Sequence, residues 1–316
     1  MENKEKISLR KGLLETAPFH SANAPVVEIS YMEYAEDPGD ILSPNTTAFD
    51  EGGFAQISIH IAKMAIQMES YRTAASIPMS TARDLDVLHG ASTTGMMEDV
   101  LRNEAVMRAE KNLAEKYWSA GWSSRESTRT GWQKRVLRLL AKKNFDIYKY
   151  IESETDADRG RILTATVLSM ANRVAKACRR GPGNFAIVPA EIMSYLEDCP
   201  GFVYLDEPSS SIILTGNTRY VAKGMIANVK VYVDTHAKYN SGEILVGRTG
   251  RGDEPGIHFV EYSNEFLETV DQISLENKVC LLSRYAVAPV GNIEGMYLAE
   301  KIVIGKKPWW RKLFKL

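Results

Sequence analysis

Three observations predict an α+β chain. Apolar residues recur at gaps of four from Met97 to Tyr117, the signature of a long helix. From residue 184 the texture changes to short β-branched runs divided by Gly- and Asn-rich turns. Ahead of the helix, Ile57–Met68 alternates like one long strand that nothing nearby in the chain covers.

Composition narrows the class. The chain has 316 residues, 44% hydrophobic and 25% charged, enough to bury a sizeable core and too apolar for disorder. Lys+Arg 39 against Asp+Glu 40 gives a net charge of −1, so any nucleic-acid contact must be local. No run reaches the roughly 18–20 uncharged apolar residues of a membrane span. Lys63 interrupts the nearest one, Ile57–Met68. The N-terminus, MENKEKISLRKGLL, lacks the apolar core of a secretory signal. Cys178, Cys199 and Cys280 are odd in number and far apart, which fits buried thiols in a reducing compartment. A soluble protein made in the cytoplasm is expected.

Residues 1–50 read as an arm, with Pro18, Pro25, Pro38 and Pro44 opposing helix and Val26–Tyr34 suited to one extended segment. In the long strand, Ile57, Ile59 and Ile61 alternate, and Ala62, Met64, Ile66 and Met68 continue one residue out of phase. That slip predicts a bulge or strong twist. Such a strand looks like one leg of a projecting hairpin that needs a neighbour to cover its faces.

Ser80 is the expected cap of a short helix stopped by Gly90. Thr93 or Thr94 should cap the long helix, about 24 residues and roughly 36 Å, ending at Gly121. A polar stretch, 123–130, precedes a basic amphipathic helix, Trp132–Lys143. After the acidic 152–158, Ile162–Cys178 reads as a helix closed by Arg179, Arg180 and the Gly-Pro-Gly of 181–183. Then come a strand, Phe185–Pro189, and a short helix, Ala190–Asp198. Further strands are expected at Ser211–Leu214, Val229–Val233, Glu243–Val246, Ile257–Glu261, Val279–Ala288 and Tyr297–Ile304. Trp309, Trp310, Leu313 and Phe314 of the final KKPWWRKLFKL are too apolar to stay in water. They should dock on the same or a neighbouring subunit.

Chemistry is sparse. The five histidines lack metal-ligand spacing, and no metal or cofactor is expected. Asp234 and His236 could be a base and its orienter, but no nucleophile accompanies them, and they read as a loop pair. Arg248–Gly256 is glycine-rich without the order of a phosphate loop and reads as a hairpin loop. The basic segments 132–143 and 305–316 are candidates for contact with nucleic acid or an anionic surface. No catalytic constellation emerges, so an enzyme is not expected. An arm and a hairpin that cannot bury their own faces point to a self-assembling shell or filament subunit.

The order of motifs resembles the major capsid proteins of T-even-like tailed phages. The resemblance is carried by Asp84, Leu85, His89 and Gly90 after the long strand, then by GMMEDVLRNEAVMRAEKNL as the spine helix. Arg180, Gly181, Gly183, Asn184 and Phe185 follow. The next block holds Val231, Tyr232, Val233, Asp234, Ala237, Lys238, Val246, Gly247, Gly256, Ile257 and Phe259, and the last is the Arg284-Tyr285 pair. The blocks stand in the same order over roughly residues 55–304.

The resemblance implies an HK97-type major capsid fold: arm at 1–30, extended loop at 31–78, peripheral domain with spine helix at 79–183, axial domain at 184–263, and a return to the peripheral domain with the tail at 264–316. It implies a structural subunit of the virion head, made in the host cytoplasm. The subunit would self-assemble into hexamers and pentamers of an icosahedral or elongated shell around double-stranded DNA. Scaffolding, portal and vertex or decoration proteins would be partners, with non-specific DNA contact at most and no membrane. Ile57, Ile59, Ile61, Met64 and Ile66 are proposed extended-loop contacts. Arg248, Arg251, Asp253 and Glu254 form a charged loop that either faces a capsomer neighbour or, in the plainer reading, is simply solvated. Leu13-Leu14-Glu15 fits the family's [Leu/Ile]-x-Glu processing pattern, which makes Glu15 a candidate cleavage site. The region 123–160 and the tail after Ile304 depart from the family pattern, and the chain is shorter than its coat proteins. The pentameric vertex paralogue shares the motifs and stays open. So does a cellular compartment shell of the same fold, and, in another class, a nucleic-acid binder using 132–143 and 305–316.

Overall fold

The structure, a computed structural model, describes residues 25–33, 60–90, 92–127, 149–151, 155–205, 219–238, 241–250, 254–271 and 276–305. The expected strand Ser211–Leu214, the basic helix 132–143, Glu15, Ile57, Ile59, Arg251, Asp253 and the tail 306–316 lie outside the described residues.

Strand β1 (Val26–Glu33) pairs antiparallel with β2 (His60–Gln67) as a separate two-stranded ribbon, Val26 opposite Gln67 and Glu33 opposite His60. The extended segment and the hairpin leg are therefore two legs of one hairpin, and the expected arm–loop boundary at residue 30 falls inside β1. The phase slip lies elsewhere than expected. Strand β2 is regular, with Ile61 outward and Ile66 inward. The break is at Met68, between β2 and β3 (Glu69–Pro78), where the inward set changes from Ile66 and Met68 to Tyr71 and Thr73.

β3 continues into a three-stranded antiparallel sheet of order β10-β11-β3, where β10 is Gly256–Asp271 and β11 is Glu276–Val290. These two strands are longer than their apolar runs, since cross-strand pairing carries them past the predicted ends. Helix α1 (Met79–His89) follows β3 and stops at Gly90, whose φ of 60° and N–H bond to the Asp86 carbonyl close it as expected. Ser80 does not cap it; the cap position is Pro78.

Helix α2 (Thr93–Ser127) is capped by Ser92, whose hydroxyl accepts from the Gly95 N–H. Thr93 is buried and donates instead to the Ala82 carbonyl. At 35 residues α2 runs through Gly121 rather than ending there. A Cβ on Gly121 would meet Leu245 Cδ1 at 2.7 Å and the Ala299 backbone nitrogen at 3.0 Å, so this glycine marks a close helix–strand crossing. The stripe read from sequence spans two sheets. Met97 and Leu101 pack with Val279, Leu281 and Phe266 of the three-stranded sheet, and Ala109 packs with Tyr71 and Tyr285. Leu113 and Tyr117 pack with Phe185, Ile187 and Tyr297.

Those last residues belong to a seven-stranded sheet of order β4-β12-β9-β5-β8-β7-β6. Its strands are β4 (Lys149–Ile151), β5 (Phe185–Pro189), β6 (Phe202–Tyr204), β7 (Tyr220–Ile226), β8 (Val229–Asp234), β9 (Glu243–Gly247) and β12 (Tyr297–Ile304). On its other face lie α3 (Asp156–Cys178) and α4 (Ala190–Glu197), with Leu163, Val167 and Val174 against Val188, Val231 and Ile302. Thr155 caps α3, whose first residue Asp156 lies six residues before the predicted start, and Arg179, at φ 55°, ends it where expected. α3 and β12, which the resemblance assigns to the peripheral domain, bury apolar faces in the seven-stranded layer, and β12 also packs on α2 through Tyr297 and Ala299. Strands β6 and β7 were missed; β7 pairs with β8, and β6 pairs with β7 at the edge of the sheet. Arg248–Gly256 is not a hairpin loop. β9 pairs with β5 and β12 while β10 pairs with β11, so the segment crosses from one sheet to the other.

Candidate intersubunit surfaces

The projecting hairpin is two-faced because its side chains alternate. Its inner face, Val27, Ile29, Tyr31, Met64, Ile66 and Met68, packs on Ala286 and Val290 at the end of β11. Ile66 is thus spent within its own subunit and Met64 is half-buried. Ile61 points the other way and is 70% exposed, opposite Met32. Val26 is exposed on the same outer face at 60%. The sequence-read contacts therefore separate into supports (Met64, Ile66) and one surface residue (Ile61).

Two features hold the hairpin against its own subunit. Gly291, at φ 68°, lets Tyr31 and Pro255 close on the backbone; a Cβ there would sit 2.9 Å from each. Beside them a cleft of about 600 Å³ opens among Tyr31, Met64, Ala120, Ser123, Pro289 and Glu294. At the Met68 break, Tyr71 donates to Glu69, and Asn112 of α2 donates to the hydroxyls of Tyr71 and Tyr285 at 3.1 and 2.8 Å. The two tyrosine rings stack 4.6 Å apart. Burial, then the hydrogen bond with Glu69, pushes the Tyr71 phenol well above its ordinary range. Burial pushes Tyr285 up to about 12.

The charged crossover is stitched to its own subunit at both ends. Arg248 pairs with Glu254 at 3.5 Å and lies against Gly181. Asn184 donates to the Thr249 carbonyl at 2.7 Å and accepts its N–H at 2.9 Å. Arg248 and Glu254 thereby frame the ends of the crossover around 251–253.

Asp234 and His236 do not form a base and orienter. Asp234 takes both guanidinium bonds of Arg219, at 2.8 and 2.9 Å, and accepts the His236 backbone N–H. Glu110 of α2, buried at 1% exposure, accepts the Arg219 backbone N–H at 2.9 Å. This pair ties the start of β7 to α2; sequence reading missed Glu110 and Arg219, whose partners lie far away in the chain. Cys178, Cys199 and Cys280 are free, half-buried thiols. Among the described residues no cluster of His, Cys, Asp or Glu could hold a metal, and no helix is long and apolar enough to cross a membrane.

The family model described as major capsid protein Gp23 matches residues 14–295. The chain belongs to that family. It is a structural protein, a major capsid protein that forms the head shell of a phage. No curated protein sequence matches it. Solved structures that resemble the capsid protein include the mature capsid of bacteriophage PhiM1, at 12% identity over 91% of this chain and 84% of that one, TM-score 0.39. The satellite phage P4 procapsid resembles it at 13% identity over 88% and 91%, TM-score 0.42. The SrpI encapsulin of Synechococcus elongatus PCC 7942 does so at 7% over 90% and 85%, TM-score 0.41. The assignment rests on the family match.

Proposed function

We propose that the capsid protein assembles into hexamers and pentamers of an icosahedral or elongated head enclosing double-stranded DNA, and that the β1–β2 hairpin lies across a neighbouring subunit. The observation that carries this is the hairpin itself: one face packs on β11, and the other presents Ile61 and Val26 to solvent. That outer face is mixed, with Glu28, Ser30 and Lys63 between Val26 and Ile61, and covering its apolar residues with a second subunit is favourable. Many such modest contacts add up through multivalency around a closed shell.

In this reading the extended loop is 26–68. The peripheral domain comprises β3, α1, α2, β10 and β11. The axial domain comprises β4 to β9, α3, α4 and β12, with residues before 25 as the arm. The crossover 248–254 faces the capsomer neighbour, Glu15 is the processing site, and no catalysis is involved. Scaffolding, portal and vertex or decoration proteins complete the assembly, with DNA touching the inner face non-specifically and synthesis in the host cytoplasm.

Light scattering after size-exclusion, with negative-stain imaging of the same fractions, tests this. Rings, tubes or shells of six-fold subunits are expected. Five-fold rings alone would assign the vertex paralogue instead. A monomer that neither scaffold nor crowding assembles would sink the reading.

A further inference from the structure

One end of the molecule is both apolar and acidic. It is built by α1, the first turns of α2 and the outer ends of β10 and β11. Glu276 pairs with Pro78 and Asp271, Thr93 bonds Ala82, and Arg102 lies 4.7 Å over Phe266. Val87 and Leu88 are exposed at 76% and 74%, and Met96, Val100 and Val270 are also exposed. Around them Asp84, Asp86, Asp99 and Glu268 are exposed. Two of the nearby cations are engaged with acids of their own, Arg102 with Glu98 at 3.7 Å and Lys278 with Asp271 at 2.6 Å. Arg83 is the exposed cation of α1.

The complement to such a surface is a short segment that is basic and aromatic. Residues 306–316 have that chemistry: Lys306, Lys307, Arg311, Lys312 and Lys315, no acid, and Trp309, Trp310, Leu313 and Phe314 between them. We propose that the 306–316 tail of a neighbouring subunit docks on this α1–α2 end, its rings covering Val87 and Leu88 and its cations meeting Asp84 and Asp86. The proposal rests on the capsid reading above. A neighbour is the donor because the tail departs from β12, in the sheet that touches α2 where Gly121 meets Ala299. Met96 stands about 38 Å up the helix from that crossing. Apolar cover and opposite charge together give both adhesion and register.

The test uses shells assembled from the full chain with a photo-crosslinking residue replacing Trp310, half of the copies isotope-labelled, and adducts mapped by mass spectrometry. Adducts joining labelled to unlabelled copies within 79–103 or 268–271 are expected. Asp84→Lys with Asp86→Lys should lower their yield at least ~5-fold, and adding Lys312→Glu with Lys315→Glu should restore it to within ~2-fold. Adducts within one copy, adducts elsewhere on a neighbour, or a yield indifferent to both charge swaps would overturn the docking. So would a photo-crosslinker at Trp132 that labels this end when the one at Trp310 does not. Imaging precedes cross-linking. Shells without the adducts overturn the docking alone, whereas absence of any ring or shell sinks the capsomer reading and this inference with it.

Discussion

Gly121 shows how much one missing Cβ decides. Helix propensity favours Ala over Gly by about 1 kcal/mol, yet the Ala299 backbone nitrogen, 3.0 Å from where a Cβ would sit, has nowhere to move. The clash should win. Gly121→Ala is expected to destabilise the unassembled subunit by ~1–3 kcal/mol, read as a lowered urea midpoint. A rise in midpoint would mean that α2 and β12 are farther apart than described. The buried phenols make a second residue-scale prediction. Tyr285 and Tyr297 ionise near 10 when exposed and are raised to about 12 in the fold, chiefly by burial. A raised folded value means the protonated form stabilises the fold. That stability is whole below pH 10 and drains as pH climbs from 10 to 12. The thermal midpoint of the unassembled subunit should therefore drop steeply across that window, and a curve that stays flat to pH 12 would contradict the burial of these rings.

At the scale of elements, α2 is the beam between the two sheets, and its stripe meets a different core at each end. Leu101 is 2% exposed between Met97, Val279 and Leu281. Leu101→Ala should cost ~2–5 kcal/mol in chemical denaturation. The stripe was legible in the sequence because a helix face has a strict local period. The length of α2 was not, because Gly121 normally breaks a helix unless a neighbouring strand requires its smallness. The β10–β11 pair was underestimated for a similar reason: its outer halves carry exposed polar residues such as Glu265 and Glu268, held in strand by pairing rather than by their own propensity.

At the scale of the whole molecule, the outer face of the hairpin separates folding from assembly. Ile61 is mostly in water in the lone subunit, so Ile61→Lys should shift subunit stability by no more than ~0.5 kcal/mol. The same change should strongly reduce the yield of rings or shells by light scattering. Equal assembly of the variant and the parent would remove Ile61 from the interface. The inner-face residue Ile66 should behave oppositely: Ile66→Lys would destabilise the subunit itself, because it lies against Ala286 and Val290.

By itself, the sequence determined the α+β class, the helix stripe, the strands Phe185–Pro189 and Tyr297–Ile304, and, through the order of its motifs, the capsid family. These are local periods and ordered signatures, readable without knowing what lies opposite. Only the tertiary structure decided the sheet to which each strand belongs, the packing of α3 and β12 in the seven-stranded layer, and the crossover role of Arg248–Gly256. It also decided which hairpin side chains face inward and that Asp234 is occupied by Arg219. Each of these depends on pairings between residues far apart in the chain, and alternation along a strand cannot say which of its two faces will find a partner.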